Sequence, residues 1–269
     1  IGRPDMMEDA DLASAVGRTR RRDEFLAAVH EHTTRRTTAE LLADAALFRI
    51  PSGPVLDGST IPAFDHFVER EVFTPDPTGR FLQPRVPYRI SGLAPRPFGP
   101  APAEGEHAGQ VDWNPHPAPV ESTSERRLPL EGVRVVDCTA WWAGPAATQA
   151  LALLGADVVK VESVTRPDLM RYTAAKPASE DGWWEWGPMF HAANAGKRGI
   201  TLDLGHPEGV DVFERLVATA DLLVENYTPR VMDQFGLGWD RLHEVNPELI
   251  MVRMPAFGLD GPWRDNTGF

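Results

Sequence analysis

The sequence predicts a parallel, doubly wound α/β sheet for residues 128–269, preceded by a mostly helical segment. Two observations support this fold class. After residue 128, short apolar runs alternate with helical patterns, which is the rhythm of βαβ units. Before residue 95, the apolar residues recur mainly at helical spacing instead. The two halves are therefore expected to be different kinds of structure.

The first half begins with helical signals. Residues 23–33 form an amphipathic helical pattern, and a second helix is predicted to begin near Thr37. Thr37 and Glu40 have the spacing of a capping box, in which the hydroxyl and the carboxylate each satisfy a free N–H group at the helix start. Further on, residues 86–90 contain a proline within an apolar run, which predicts an edge strand.

A proline-rich stretch separates the halves. Seven prolines fall between Pro95 and Pro119, and such a density interrupts both helices and central strands. The predicted organisation is therefore a first segment at residues 1–94, a linker at residues 95–127 and an α/β segment at residues 128–269.

The second half carries the strand signals. Gly144-Pro145 opens a helix after the first strand, and Pro207 suits the first position of the helix after the third strand. Sheets of this kind bind ligands at the carboxyl ends of their strands. The predicted strands are residues 133–136, 158–161, 200–202, 222–224 and 249–252.

Turns that follow three of these strands hold candidate ligand contacts. Small residues at Ala143 and Gly144 let a ligand approach the backbone, and a helix N-terminus favours an anion. Asn226 and Thr228 offer hydrogen-bond donors, although helix capping alone would explain each of them. Because parallel strands end at one edge of the sheet, the three turns are expected to converge there.

Ordered motifs run through the second half at residues 130–137, 143–145, 154–162, 194, 197–198, 202–204, 207–209, 225–227, 236–239, 246–247 and 257–262. In this order and spacing they resemble the opening segment of family III CoA-transferases, the formyl-CoA and carnitine CoA-transferase group. The first half resembles the closing segments of the same family at residues 50–55 and 86–92. The order is therefore tail first and head second, as expected of a piece that spans the junction of two fused copies; a circular permutation is the alternative.

The resemblance implies a Rossmann-like large domain and two interlocked protomers, either a homodimer or an intramolecular pseudo-dimer of fused copies. It implies an acyl-CoA and a carboxylic acid as substrates, with CoA transferred through an aspartyl anhydride and an aspartyl-CoA thioester. The family's aspartate would follow Phe269, so no catalytic residue is expected within this chain and no activity from the chain alone. The implied CoA contacts are Trp142, Ala143, Leu202, Asp203, Leu204, Gly205, Asn226, Tyr227 and Thr228.

Three positions depart from the formyl-CoA transferase pattern. Trp142 stands in place of a glutamine, and Ser163 and Gln234 each stand in place of an arginine. Fewer cations for the phosphates imply weaker or differently posed CoA, unless neighbouring basic residues substitute. The neighbouring candidates are Lys197, Arg198 and Arg230.

Two alternative functions stay open beside CoA transfer. An acyl-CoA racemase-like isomerase is disfavoured, because related racemases use a histidine where this chain has Phe269, and an apolar ring exchanges no proton. A non-catalytic copy retained for CoA binding and assembly is the other alternative.

The composition of the chain argues against several kinds of partner and site. A net charge of −12 argues against nucleic acids and anionic membranes as partners, and no apolar run reaches the length of a membrane span. Cys138 is the single cysteine, so no internal disulfide is possible, which suits a cytoplasmic protein. His30 and His32 lie on different faces of a helix, so no metal site is expected.

Overall fold

The computed structural model describes residues 1–12, 15–112, 128–173, 176 and 179–268. The chain divides into two compact units, Ile1–Leu56 and Asp57–Phe269. Residues 113–127 of the predicted linker lie outside the described residues. None of the helices in the described part is long and apolar enough to cross a membrane.

The first unit is helical, as predicted. The capping box at Thr37 is confirmed: its hydroxyl accepts from the Glu40 N–H group at 3.3 Å, and the Glu40 carboxylate accepts from the Thr37 N–H group at 2.8 Å. Its helices are α1 (Pro4–Glu8), α2 (Ala15–Arg20), α3 (Arg22–Thr33) and α4 (Thr38–Leu47).

The second unit opens with helix α5 (Asp65–Glu69) and a short antiparallel hairpin of β1 (Phe73–Pro75) and β2 (Leu82–Pro84). The edge strand expected at residues 86–90 is wrong, because these residues form no strand. The hairpin ladder ends where the Arg85 N–H group bonds the Val72 carbonyl, and Pro87 has no N–H group with which to continue it.

Asp76 fixes the hairpin turn. Its carboxylate accepts from the N–H groups of Thr78, Arg80 and Phe81 at 2.6–3.0 Å, and also from the Thr78 hydroxyl. Led by the Thr78 hydroxyl, these bonds lower the pKa of Asp76 from its ordinary 3.8 to about 2, against the opposing effect of burial. The turn is therefore specified by one carboxylate in its ionised form.

This arrangement predicts a pH dependence. A depressed folded-state pKa stabilises the fold above the ordinary carboxyl pKa, and this contribution is lost as the pH falls through about 2. The urea midpoint of the wild type should therefore fall between pH 5 and pH 2 by more than that of Asp76→Asn. Equal slopes for the two proteins over that range would contradict the assignment.

The rest of the second unit is a five-stranded, fully parallel sheet with the order β5-β4-β3-β6-β7. The chain runs outward from β3 to β5, then returns to place β6 on the other side of β3. This confirms the predicted sheet and puts the reversal of strand order between β3 and β6. The strands are β3 (Arg134–Cys138), β4 (Asp157–Glu162), β5 (Arg198–Thr201), β6 (Leu222–Glu225) and β7 (Ile250–Arg253).

Helices connect the strands and cover the sheet. Helix α8 begins at Pro207 as predicted and buries Phe213 and Val217 against β6 residue Leu223 in the main core. Helix α6 packs close to the sheet because Gly144 has no side chain: a Cβ atom there would lie 2.4 Å from the Thr139 Cβ atom. Besides α5, the α-helices described in this unit are α6 (Ala143–Leu153), α7 (Pro188–Asn194), α8 (Pro207–Val217), α9 (Arg230–Gln234) and α10 (Trp239–Val245).

The whole first half was expected to pack apart from the sheet, but residues from 57 onward belong to the sheet's unit. Buried His66 accepts from the Trp263 N–H group at Nδ1 (3.2 Å), so its Nε2 atom donates to the Phe257 carbonyl (2.8 Å). Arg70 and Arg89 both pair with Asp260, at 2.8 and 2.7 Å. These contacts explain why the unit boundary lies at residue 56 instead of in the proline-rich stretch.

Candidate functional site

The turns that follow β3 and β6 meet where the strand order reverses. We call the space between residues 139–142 and residues 226–229 the switch-point crevice. The Asn226 side chain joins the two turns: its Oδ1 atom accepts from the Ala140 N–H group at 2.9 Å, and its Nδ2 atom donates to the Ala140 carbonyl at 2.7 Å. Capping was the alternative role for Asn226, but α9 begins after Pro229, and the Asn226 amide is engaged across the sheet.

The turn after β3 is held by two further buried side chains. The Lys160 ammonium donates to the Thr139 carbonyl at 2.7 Å. The Asp168 carboxylate accepts from the Trp141 N–H group at 3.1 Å. Trp141 has a φ of 65°, a left-handed conformation that is unfavourable for a residue with a Cβ atom. Three side chains from three parts of the chain therefore bond three consecutive backbone residues.

Trp142 and Ala143 lie next to this turn, at the start of α6. Trp142 is 53% exposed, and Ala143 is exposed at the first position of the helix. The first N–H groups of an α-helix have no intrahelical partner, so this end of an eleven-residue helix suits an anion. Both predicted residues thus occupy the crevice edge.

The turn after β6 is anchored from below. Arg253 of β7 donates to the fully buried Glu225 carboxylate at 2.7 Å and to the Pro229 carbonyl at 2.8 Å, and Glu225 also accepts from the Tyr227 N–H group at 2.7 Å. Burial raises the pKa of Glu225 despite these bonds. The Tyr227 ring packs against the main core, where burial raises the pKa of its hydroxyl, and Thr228 is half-buried.

The third predicted turn, residues 202–205, follows the edge strand β5. It shares the carboxyl edge of the sheet, but β5 lies two strands from β3, or roughly 10 Å. Leu204 is a buried core residue and Leu202 packs against the same core, while Asp203 and Gly205 are exposed and joined by a 2.9 Å hydrogen bond. The crevice therefore brings together two of the three turns, and the third stands apart from it.

A buried charge network that sequence reasoning missed lies beneath the crevice. The Asp137 carboxylate, fully buried at the end of β3, accepts from Lys197 at 2.8 Å, and from the hydroxyls of Thr139 and Thr148 at 2.6 Å. Burial opposes ionisation of Asp137, yet Lys160 and Lys197 hold its pKa below the ordinary value. Burial lowers the pKa of Lys197 against the attraction of Asp137.

The three basic residues proposed from sequence differ in their position and in their ion-pair partners. Lys197 is only 2% exposed and bonds Asp137, so it does not reach a phosphate at the surface. Arg198 pairs with Asp157 at the amino ends of β5 and β4, away from the ligand edge. Arg230 follows β6 at the carboxyl edge and is 40% exposed, with Asp265 at 3.2 Å. Arg230 is therefore the one member of this set that lies at the carboxyl edge with a partly exposed side chain.

A cavity of about 910 Å³ lies beside β4 and β5. Its lining includes Ser163, Arg171, Trp184 and Phe190, and it contains none of the nine predicted contacts. Within the described ranges, no group of three or more His, Cys, Asp or Glu side chains is arranged to hold a metal ion.

Comparison with known proteins defines the class. The chain matches CoA-transferase family III over residues 1–108 and 130–269. It therefore belongs to this family, as the sequence motifs had indicated.

Two relatives agree in sequence with this membership. The chain is 35% identical to the succinyl-CoA–L-malate CoA-transferase alpha subunit of Chloroflexus aurantiacus, over 67% of this chain and 39% of that protein. It is 31% identical to a probable CoA-transferase of Mycobacterium tuberculosis, over all of this chain and 34% of that protein. A CAIB/BAIF family protein from Brucella suis is similar in structure over 54% of this chain and 38% of that chain, with 39% identity and a TM-score of 0.48. The chain thus spans little more than a third of the length of these relatives.

Proposed function

We propose that this chain is the CoA-binding part of an enzyme that moves CoA between an acyl-CoA and a carboxylic acid. The observation that carries the proposal is the switch-point crevice. In this family III chain it lies where the strand order reverses, which is the place where doubly wound sheets bind ligands. The succinyl-CoA–L-malate CoA-transferase subunit of Chloroflexus aurantiacus and a formyl-CoA:oxalate CoA-transferase of Rhodopseudomonas palustris, to which the chain is also similar, support this substrate class.

The crevice suits the ADP end of CoA. The N-terminus of α6 offers free N–H groups to a pyrophosphate, and Arg230 offers a cation from the facing turn. Exposed Trp142 offers a flat apolar surface beside them. Together these groups supply the anion-binding and stacking interactions that a nucleotide requires.

The covalent step of the family passes through an aspartyl anhydride. Among the described residues, the buried aspartates Asp76, Asp137 and Asp168 are each held in hydrogen bonds or ion pairs. None of these three is free to attack a thioester. Because the chain spans little more than a third of the length of its relatives, we assign the nucleophilic aspartate to a part of the enzyme outside this chain.

We also propose that residues 1–94 close one copy of the family fold and residues 128–269 open a second, with residues 95–127 as the join. Two separate stretches of the chain match the same family, and the M. tuberculosis relative aligns with the whole chain in this order. An interlocked pair would then form within one polypeptide, with a homodimer as the alternative. Buried, unpaired Cys138 suits a cytoplasmic enzyme.

The test is CoA binding by calorimetry, with Asn226→Ala as the diagnostic variant. Loss of the amide frees the Ala140 backbone from the facing turn and opens the crevice. We expect weaker CoA binding by about 1 kcal/mol, or roughly fivefold, together with a lower melting temperature.

Asn246→Ala is the matched control. The Asn246 amide also donates two hydrogen bonds to backbone carbonyls, those of Val217 and Ala220, at the opposite end of β6. This variant should lower the melting temperature and leave CoA affinity unchanged. If the two variants affect melting alike and neither changes the dissociation constant, the crevice is not the CoA site.

A further inference from the structure

We infer that Asp168 is a positioning residue for CoA, which it serves by holding Trp141 in its left-handed conformation. The inference rests on the proposed function and deepens it. Asp168 lies in the loop after β4, 27 positions from Trp141, and is 2% exposed. It was not among the residues that the sequence motifs indicated.

The argument begins with the conformation of Trp141. A tryptophan at a φ of 65° crowds its Cβ atom against the backbone, so the chain adopts this shape only where the surroundings enforce it. The Asp168 Oδ1 atom accepts from the N–H groups of both Trp141 (3.1 Å) and Met170 (3.0 Å). One carboxylate oxygen thus ties the strained residue to the loop after β4.

Asp168 is itself held in place. Its Oδ2 atom lies 3.4 Å from the Lys160 ammonium, and its own N–H group donates to Glu162 at 3.1 Å. Glu162 in turn pairs with Arg171 at 2.7 Å. A carboxylate that is itself held by hydrogen bonds can keep the Trp141 backbone in one conformation, whereas a mobile carboxylate would move with that backbone.

The consequence falls on the next two residues. Trp142 and Ala143 directly follow Trp141 and carry the exposed ring and the helix N-terminus of the switch-point crevice. If Trp141 leaves its left-handed conformation, the chain direction at Trp142 changes and these groups separate from the turn at residues 226–229. Asp168 therefore affects CoA without contacting it.

The experiment is a double-mutant cycle with CoA calorimetry on the full chain. Asp168→Ala should weaken CoA binding about tenfold. In the Trp141→Gly variant, residue 141 no longer needs Asp168 to hold it in the left-handed conformation, because glycine adopts positive φ without steric cost. Adding Asp168→Ala to Trp141→Gly should therefore weaken binding by less than about threefold. Asp168→Asn keeps the acceptor oxygen and should lie between the wild type and Asp168→Ala.

Controls separate this role from a purely structural one. Asp211→Ala removes an exposed aspartate, paired with Arg215 on α8, and should leave the dissociation constant unchanged. The positioning role is overturned if Asp168→Ala lowers the melting temperature but leaves CoA affinity unchanged. It is also overturned if Asp168→Ala weakens CoA binding by the same factor in the wild type and in the Trp141→Gly variant. If Asp168→Ala does not fold, the cycle is run with Asp168→Asn, and either of the same two outcomes would overturn the positioning role. Absence of binding by the unmutated chain would instead overturn the proposed function, and this inference with it.

Discussion

Replacement of Asp137 by asparagine is expected to lower the free energy of unfolding by about 3–5 kcal/mol. The substitution preserves shape but leaves the Lys197 ammonium, 2% exposed, without its counter-charge. The remaining partners of Lys197 are neutral oxygens of Pro145, Thr148 and Asn194, each at 2.8 Å. Neutral acceptors do not replace the attraction of a carboxylate in a buried site.

Urea unfolding followed by tryptophan fluorescence measures this loss. All eight tryptophans follow residue 112 in the sequence, so the signal reports on the unit that contains the sheet. The double variant Asp137→Asn with Lys197→Met should be more stable than the sum of the two single losses predicts, by about 1–3 kcal/mol, because it removes both charges together.

The pair of Asp157 and Arg198 is the control. It joins the same sheet at the amino ends of β4 and β5, but Arg198 is 64% exposed. Arg198→Met should therefore cost at most about 1 kcal/mol. A loss for Asp137→Asn as small as that of Arg198→Met would show that the buried pair contributes no more than a surface one.

The pH dependence has a defined sign. The folded state holds the pKa of Asp137 below its ordinary 3.8, so the stabilisation is present above that pH and is lost as the pH falls through the lower folded value. The urea midpoint of the wild type should therefore decrease on acidification. The midpoint of the Asp137→Asn variant should decrease less, because the contribution of the Asp137 carboxylate is already absent from it.

The sheet could be predicted from sequence because its signal is local. Val135 and Val158 lie within short apolar runs separated by helical patterns, and both are buried in β3 and β4 as that rhythm requires. Helices α9 and α10 were missed, since five and seven residues are too few for a clear helical period. The hairpin of β1 and β2 was missed because the hydrogen bonds of Asp76, which no apolar pattern encodes, define it.

The site was less predictable because its partners are distant along the chain. Asp137 and Lys197 are 60 positions apart, and Asn226 is 86 positions from Ala140. Lys160 stands inside an apolar strand, where a single charge does not show whether it faces solvent or a buried carboxylate. The motifs therefore indicated residues of the two turns that border the crevice and of a third turn that lies apart from it, whereas the side chains that hold these turns emerge only once the strand order is known.

Replacement of Arg253 by alanine is the second large effect expected. Arg253 is the ion-pair partner of Glu225, whose carboxylate is fully buried, and it also bonds the Pro229 carbonyl at 2.8 Å. Its loss leaves a buried carboxylate uncompensated, which costs about 3 kcal/mol at pH 7. The Arg253→Lys variant keeps the charge but not both hydrogen bonds, so its loss should be smaller.

The pH dependence of this loss identifies its cause. The pKa of Glu225 is already raised above its ordinary 4.5 by burial, and removal of Arg253 raises it further. A raised folded-state pKa means that stability falls as the pH rises from the ordinary value through the folded one. The cost of Arg253→Ala should therefore be smaller at pH 5 than at pH 7, and Glu225→Gln in the same chain should remove that difference.

Arg241 offers a matched arginine for comparison. It forms a two-point pair with Glu214 at 2.6 and 2.7 Å, but on the surface, with its side chain 49% exposed. Arg241→Ala should cost at most about 1 kcal/mol, with little change between pH 5 and pH 7. Equal losses and equal pH profiles for the two arginine variants would contradict the account of Glu225 as a buried charge neutralised by Arg253. Unequal losses with the stated pH profile would instead support this account of the buried pair beneath the turn after β6.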